Sequence, residues 1–502
     1  AGFRWNPVRR LWHTAMLGNI EQVARWLDDA ATARIAELEQ RINESRASAA
    51  DIDVPVPAGL TPYPFQLAGV KYALRTLAEG RGVLIADEMG LGKTVQAVLI
   101  ANALRPQRVT IVCPASVKLN WVHEWKRWST LPLTVGVVTG NDVPDADVLV
   151  VNFDIVSRHV ERLTCDLLIV DEAHYIKNER SQRARAVKAI HAQHRIYMTG
   201  TPIMNRPVEL WSLVHDLDSA VFSDFFRFAR RYCDAKQVPA GRRLVWDFSG
   251  ASNLDELHQL LRQRIMVRRL KADVLNELPP KVRQVVHLDV DDRIARLIQL
   301  EREALEEARL DAEVDAMLRR IEEGDADEWL DVVERLVDVT SSIDHIARIR
   351  HQLATAKVPQ AVAYIEDVLA STSQVVIFAH HRDVISALCE RLQSYGVVSI
   401  VGGDSAEARQ EAVERFQRGE ARVFVGSITA AGTGITLTKA DTVVFVELDW
   451  VPANVLQAED RCHRIGQRDS VFACYLVVDG SLDARMARAL ARKLDLVREA
   501  IG

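Results

Sequence analysis

Short apolar runs recur along most of the chain, each separated from the next by a stretch with helical periodicity. Residues 83–86, 109–113, 148–152, 167–170 and 196–199 form a first series, and 375–378, 397–401, 423–426, 443–446 and 472–478 a second. The runs are almost continuously apolar rather than alternating, as expected of parallel strands buried on both faces. Strand and helix alternating in this way predict an α/β fold with two doubly wound parallel-sheet lobes. Between the two series, residues 203–370 read as mainly helical. Residues 1–50 open with Trp5, Arg9, Arg10 and Trp12 and run into two predicted helices, 20–30 and 33–42. Residues 51–61, with Pro55, Pro57 and Gly59, break the periodicity and read as a linker. The expected organisation is a small N-terminal module (1–50), a linker (51–61), a first lobe (62–283) and a second lobe (284–480), each with a helical insertion, and a C-terminal helix (481–502).

Composition adds limits. A chain of 502 residues exceeds one ordinary core, and 48% hydrophobic with 26% charged residues is ordinary for a soluble globular protein. No apolar run is long enough to cross a bilayer, and no signal-peptide core follows the opening residues. The expected location is intracellular: cytoplasmic, nucleoid-associated in a bacterium, with the nucleus left open. The six cysteines form no C-x-x-C pair, which argues against a zinc module and for buried thiols. A net charge of −6 argues against a generic nucleic-acid binder unless the signs segregate. Arg262, Arg264, Arg268, Arg269 and Lys271 form a basic stretch, and residues 289–331 an acidic one. A solvated helix face accounts for either almost as well.

The candidate chemistry starts at Asp87-Glu88-Met89-Gly90-Leu91-Gly92-Lys93-Thr94, which follows an apolar strand and opens a helix. That is the context of a phosphate-binding loop. Gly90 and Gly92 let backbone N–H groups turn inward, Lys93 would reach the β- and γ-phosphates of ATP, and Thr94 would hold Mg²⁺. The general pattern has Gly where this chain has Asp87, so by itself the motif is also compatible with a glycine-rich turn before a helix. The second motif is Asp171-Glu172-Ala173-His174, at the end of an apolar strand where α/β sheets bind ligands. Asp171 would take the Mg²⁺ through water, and Glu172 would orient and deprotonate the attacking water. Third, Arg461 and Arg464 are spaced to share a helix face, from which two guanidinium groups could stabilise a transferring phosphoryl group. Two surface arginines would be the plain alternative without the other motifs.

With these motifs stand Phe65-Gln66, Met198-Thr199-Gly200-Thr201-Pro202, Arg268-Arg269-Leu270-Lys271-Ala272-Asp273-Val274, Leu278-Pro279-Pro280-Lys281, Gly432-Thr433-Gly434-Ile435, Asp449-Trp450-Val451-Pro452 and Gln457…Arg461…Arg464-Ile465-Gly466-Gln467. The set, from about residue 61 to 479, resembles a superfamily-2 motor of the Swi/Snf type, whose own pattern has Asp at position 87. Residues 171–178 and 201–210 are most similar to the HARP-type annealing-helicase branch. The resemblance implies two RecA-like lobes that use ATP and Mg²⁺. It implies that Gln66 reads the adenine, that Asp87, Gly432 and Gly434 belong to the nucleotide site, and that His174, Thr199, Thr201 and Gln457 couple hydrolysis to nucleic-acid contact. The implied partner is double-stranded or branched DNA, tracked by a monomeric motor without strand separation. A strand-separating DNA or RNA helicase is the alternative, and an inactive DNA-binding scaffold a further one that the intact catalytic set opposes.

A tracking motor needs spaced donors to phosphates more than base readers. The candidates are Ser116, Lys118 and Asn152 in the first lobe, Arg268, Arg269 and Lys271 after it, and His380, His381, Arg382 and Thr429 in the second. For each one, surface solvation is an equal reading. Trp121, Trp125 and Trp128, at i, i+4 and i+7, read as a core stripe rather than a base-stacking one. Residues 1–50 read equally as a DNA-selecting arm or as a packing arm on the first lobe.

Overall fold

The computed structural model describes residues 29–200, 207–240, 243–274, 281–307, 340–431, 434–449, 451–467 and 469–488, together with a short antiparallel pair, Arg4–Asn6 and Leu11–His13. It divides into two compact units, residues 1–276 and 277–502. No helix among the described residues is long and apolar enough to cross a membrane.

The first unit is built on a seven-stranded parallel sheet, in the order Met266–Val267, Val83–Ile85, Ala192–Met198, Cys165–Val170, Val109–Cys113, Val148–Asn152 and Val135–Val137. The central strands are buried along their length, Val83–Ile85 and Val109–Cys113 at every position, which explains their unbroken apolar sequence. Each fully buried Val, Leu or Ile contributes about 1.5–3 kcal/mol relative to exposure. Trp121, Trp125 and Trp128 on helix Lys118–Trp128 pack into the core on one face of this sheet, as their spacing predicts.

The strand Met266–Val267 carries too few residues to register as an apolar run, and the reading above misses it. It is placed by its ladder to the neighbouring strand, which continues past the sheet as Ala86 N–H to the Val267 carbonyl and Glu88 N–H to the Arg269 carbonyl, at 2.8 and 3.0 Å. Also missed is a two-stranded antiparallel hairpin, Lys236–Ala240 with Arg243–Asp247, inside the stretch expected to be helical.

The expected separate module does not stand apart in its described part. Most of the first predicted helix, 20–30, lies outside the described residues; the second is observed as helix Asp29–Arg46, which lies against helices Pro64–Ala78 and Leu254–Arg264. Arg41 is buried, donating to the Gln263 carbonyl at 3.2 Å and to the Thr76 hydroxyl at 2.8 Å. Glu44 pairs with Arg75 at 3.0 Å. The Pro-rich segment after it is also docked: Val54 is buried, and the Pro55 carbonyl accepts from Asn102 at 2.9 Å. Residues 29–61 thus pack against the first unit in their described contacts.

The second unit holds a six-stranded parallel sheet, ordered Lys281–Leu288, Val471–Val478, Thr442–Phe445, Val375–Ala379, Val423–Ser427 and Val397–Ile400. Its first strand starts before the expected boundary at 283/284, because Lys281 pairs with Val471 and Arg283 with Ala473. As an edge strand it alternates half-buried and exposed positions, so its apolar signal is weak. Of the expected C-terminal helix, residues 482–488 are helical and pack into the core through Leu482, Ala484, Met486 and Ala487; the rest lies outside the described residues.

Candidate functional site

The strand order of the first lobe gathers its motifs along one edge of the sheet. The strands that lead into the glycine loop (Val83–Ile85) and into the acidic pair (Cys165–Val170) are separated only by Ala192–Met198, which runs into Thr199 and Gly200. The next strands outward, Val109–Cys113 and Val148–Asn152, carry the Lys118 segment and Asn152 at the same carboxyl edge, where doubly wound sheets bind ligands.

Gly90 and Gly92 have φ of 85° and 72°, left-handed values that favour glycine. At Gly92 a side chain is also blocked by space, since a Cβ would lie 2.4 Å from Gln66 Nε2. Gly92 caps helix Lys93–Leu104, so the first helical amides, of Lys93 and Thr94, open toward the loop. The Lys93 ammonium donates to the carbonyls of Asp87 (2.9 Å) and Glu88 (3.4 Å). Burial pulls it below the usual lysine range, opposed by Glu172 and then by Asp87 and Asp171. A Cβ on Gly200 would come within 3.3 Å of that ammonium, so the Thr199-Gly200 segment closes directly on the phosphate loop.

Asp171 accepts from the Trp121 indole N–H and from the Glu172 N–H, each at 2.9 Å. Burial, and then the neighbouring Glu172, push its carboxyl up to about 6, with Trp121 opposing. Trp121 is thus a core residue that also orients the acid, a role its helical spacing did not disclose. Glu172 sits at φ 50°, a left-handed backbone uncommon for a non-glycine residue and typical of functional positions. His174 Nδ1 lies 3.3 Å from its carboxylate, tying the expected coupling residue to the expected base. Thr199 is buried and donates its N–H to the Ile85 carbonyl at 3.1 Å, while Thr201 lies outside the described residues.

Gln66 is buried beside the loop, with Oε1 accepting from Tyr63 N–H at 2.9 Å and Nε2 donating to the Leu91 carbonyl at 3.2 Å. Asp87 is placed differently from expectation. Its carboxylate is fully buried and taken up by the Arg269 guanidinium, by Arg269 N–H at 2.9 Å and by Gln96 at 2.8 Å. Its side chain is thus engaged within the protein, where it braces the start of the loop.

The basic stretch is corrected by the same contacts. Arg269 is buried, bonded to Asp87, Gln96 and the Phe65 carbonyl. Lys271 is buried too: its N–H donates to Glu88 Oε2 at 2.7 Å and its ammonium lies 3.9 Å from Glu88 Oε1. Arg262 and Arg264 are held by Ser45 and Asp218, and burial lowers Arg268. Arg269 and Lys271 therefore clamp the acidic start of the phosphate loop and offer no track for a phosphate backbone. Gly69 makes room for this knot, because a Cβ there would lie 2.1 Å from Gln96 Oε1 and 2.5 Å from Arg269 Nη2. The one hint in the sequence is the match of an acidic doublet at one motif with alternating cations at another.

The other first-lobe candidates are partly tied down. Lys118 donates to the Val138 carbonyl at 3.3 Å, Asn152 is buried, and the Ser116 side chain lies outside the described residues.

In the second lobe, helix Pro452–Glu459 ends before the arginines, so Arg461 and Arg464 leave from turns rather than from a shared helix face. They still converge. Both donate to the Ile435 carbonyl, at 3.5 and 3.2 Å, and Arg464 also to Thr436 Oγ1 at 3.0 Å. Arg461 Nε returns to the Gln457 carbonyl at 3.2 Å. The turn is anchored by Glu459, fully buried, which accepts from Lys281 at 2.9 Å, from Arg283 at 2.5 Å and from the Tyr475 hydroxyl. Lys281 also pairs with Asp460 at 2.8 Å. Gly434 has φ 73°, while Gly432 and Trp450 lie outside the described residues.

His380 and His381 follow the strand Val375–Ala379 rather than lying in it. His381 is committed: its Nδ1 lies 2.6 Å from the buried Glu447, and its ring stacks on His351 at 4.0 Å. His380, Arg382 and Thr429 remain at the surface or near it.

A glycine loop at a helix N-terminus, a buried lysine and a strand-end acid define a phosphate-loop nucleotide-binding lobe, here followed by a second parallel-sheet lobe that carries paired arginines. Residues 65–325 match the SNF2-related domain and residues 360–466 the helicase conserved C-terminal domain. The chain belongs to the SNF2-related family. It is 37% identical over 454 residues to the SWI/SNF-related matrix-associated actin-dependent regulator of chromatin subfamily A-like protein 1 of Xenopus tropicalis, covering 87% of this chain and 44% of that protein. The Caenorhabditis elegans homolog of that protein is 33% identical, over 98% of this chain and 71% of the relative. The Bos taurus DNA annealing helicase and endonuclease ZRANB3 is 36% identical, over 86% of this chain and 40% of the relative. The chain thus spans less than half the length of these vertebrate relatives. Among solved structures, a Sulfolobus solfataricus SWI2/SNF2 ATPase core in complex with dsDNA aligns over 90% of this chain and 95% of its own, with 23% identity and a TM-score of 0.43.

Proposed function

We propose that the chain is an ATP-dependent double-stranded DNA translocase that remodels branched DNA, as an annealing helicase does, and hydrolyses ATP faster when DNA is bound. The observation that carries the reading is the closure of three motifs on one sheet edge, where Gly200 packs against the Lys93 ammonium and that ammonium feels Glu172 and Asp171. Family membership and the annealing helicase among the relatives support it.

The donor set fits a nucleoside triphosphate with a hard cation. Backbone amides from Gly90 to Thr94 and the Lys93 ammonium would hold the phosphates, and Thr94 and Asp171 offer the oxygen ligands that Mg²⁺ prefers. When bound, Mg²⁺ would neutralise charge on the phosphates. Glu172 would orient the attacking water and accept its proton, with His174 beside it to report on DNA contact through the neighbouring Thr199 strand. Arg461 and Arg464 would supply positive charge to the transferring phosphoryl group. Phosphate contacts carry no base information, so activity should be largely indifferent to sequence and fall steeply with salt.

The test is ATPase rate against duplex, single-stranded and forked DNA and RNA, together with two strand assays. ATP should drive displacement of a third strand from a triplex and leave a plain partial duplex paired. Efficient unwinding of the partial duplex without triplex displacement would promote the strand-separating helicase instead.

A further inference from the structure

The hairpin Lys236–Ala240 with Arg243–Asp247 joins neither parallel sheet. A two-stranded hairpin is marginal in water by itself, so this one depends on what lies beneath it. Leu244 and Trp246 share one face, opposite Pro239 and Gln237. Against Trp246 stand Phe226, from helix Phe225–Tyr232, at 5.8 Å edge-on, and Phe248 at 6.2 Å with parallel rings. Phe225 closes the inner side, 5.0 Å from Phe248.

The outer side is left open. Phe226 is 46% exposed and Leu244 64%, with Trp246 half-buried between them. Cations accompany the rings: the Arg230 guanidinium lies 5.4 Å over the Trp246 ring, and Arg227 is one residue from Phe226. Both arginines are exposed and make no ion pair among the described residues. The acids nearby are engaged elsewhere. Asp224 accepts from Arg227 N–H as the helix cap, and Asp247 accepts from the Ser249 N–H and hydroxyl.

An exposed ring backed by half-buried rings and flanked by exposed guanidinium groups suits a ligand with flat apolar faces on an anionic chain. Within a duplex the base faces are covered by their neighbours; unpaired nucleotides present them. We propose that this aromatic–arginine edge is a stacking platform for the unpaired bases of branched DNA, with Phe226 taking a base face, Trp246 flooring the platform beside it, and Arg227 and Arg230 meeting the adjoining phosphates. The platform rests on the DNA-motor reading above and adds to it a means of telling a fork from a plain duplex.

The experiment uses the whole chain, a fork with single-stranded arms carrying iododeoxyuridine at the first unpaired position, and a blunt duplex of the same sequence. Irradiation should crosslink the fork to a peptide containing Phe226 or Trp246. Phe226→Ala and, separately, Arg230→Gln, which spares the ring packing, should each weaken fork binding about tenfold while duplex binding and duplex-stimulated ATPase stay near wild type. Equal losses on fork and duplex, a crosslink elsewhere, or self-association of the wild type abolished by Phe226→Ala would overturn the platform and leave the motor reading standing. Failure of the wild type to bind any DNA would remove the motor reading, and the platform with it.

Discussion

Each lobe hides a knot of opposite charges beside the loop proposed to handle phosphate, and the two knots differ in kind. In the first lobe, one arginine meets one carboxylate: Arg269 and Asp87, side chains 1% and 0% exposed, with Gln96 and the Phe65 carbonyl completing the bonds. In the second lobe, two cations, Lys281 and Arg283, converge on the carboxylate of Glu459, with Tyr475 as a third donor and Asp460 as a second acid on Lys281. The loops above them explain the difference. The glycine loop works through its own amides and has two positive-φ residues to restrain, so its support must come from beneath and leave those amides free. The second-lobe turn works through side chains, and its need is a helix that stops at Glu459 so that Arg461 and Arg464 leave in turns toward Ile435. Buried pairs are weak evidence for stability, since desolvation offsets their attraction, but breaking one leaves a buried charge uncompensated. Here they hold loop geometry.

The strongest way to test which lobe carries the chemistry is Glu172→Gln. The change keeps shape and removes the proposed base, so single-turnover ATP cleavage should fall roughly 10²- to 10⁴-fold with ATP binding retained. Near wild-type cleavage would move the chemistry away from this residue.

The comparison of the knots is sharpened by Arg269→Ala. It strands Asp87 and should cost about 3–5 kcal/mol, with hydrogen-exchange protection lost around residues 83–104 and kept around 442–478. The reverse pattern should follow Glu459→Gln. Uniform loss in both regions would show that the knots are not local devices.

Arg464→Ala separates a transition-state role from a structural one. It should lower kcat by about 10²-fold and change KM less. A raised KM with unchanged kcat would make Arg464 a ground-state contact.

The smallest effect is a pH dependence confined to the second lobe. Burial pushes Glu301 up to about 7; one oxygen accepts from Leu482 N–H at 2.7 Å and the other has no hydrogen-bond partner among the described residues. The folded state therefore holds a proton that the unfolded state releases near the ordinary value of 4.5, and stability falls as pH rises from 4.5 to about 7. In urea titrations, Glu301→Gln should flatten that slope and be the more stable form above neutrality. An unchanged slope would show that Glu301 does not set it.

The sequence by itself determined the two-sheet α/β plan, the phosphate loop, the acidic pair and the family. Buried parallel strands must be apolar throughout, and a phosphate loop must place glycines and a lysine within a few residues of one another, so both are written locally. What only the tertiary structure decided lies in partners far apart in the chain. Arg269 and Asp87 are 182 residues apart, and nothing in the spacing of Arg268-Arg269-Leu270-Lys271 distinguishes a cation facing DNA from one facing a buried acid. The strand Met266–Val267 is too short for a periodicity, and Lys281–Leu288 is an edge strand with a diluted one. The hairpin over residues 236–247 was hidden because its one aromatic ring, Trp246, packs against rings outside it, from helix Phe225–Tyr232 and Phe248, instead of joining an apolar alternation along one strand. Trp121 belongs to the core by its spacing and to the site by its indole N–H, and only the packing of its helix beside Asp171 joins the two roles.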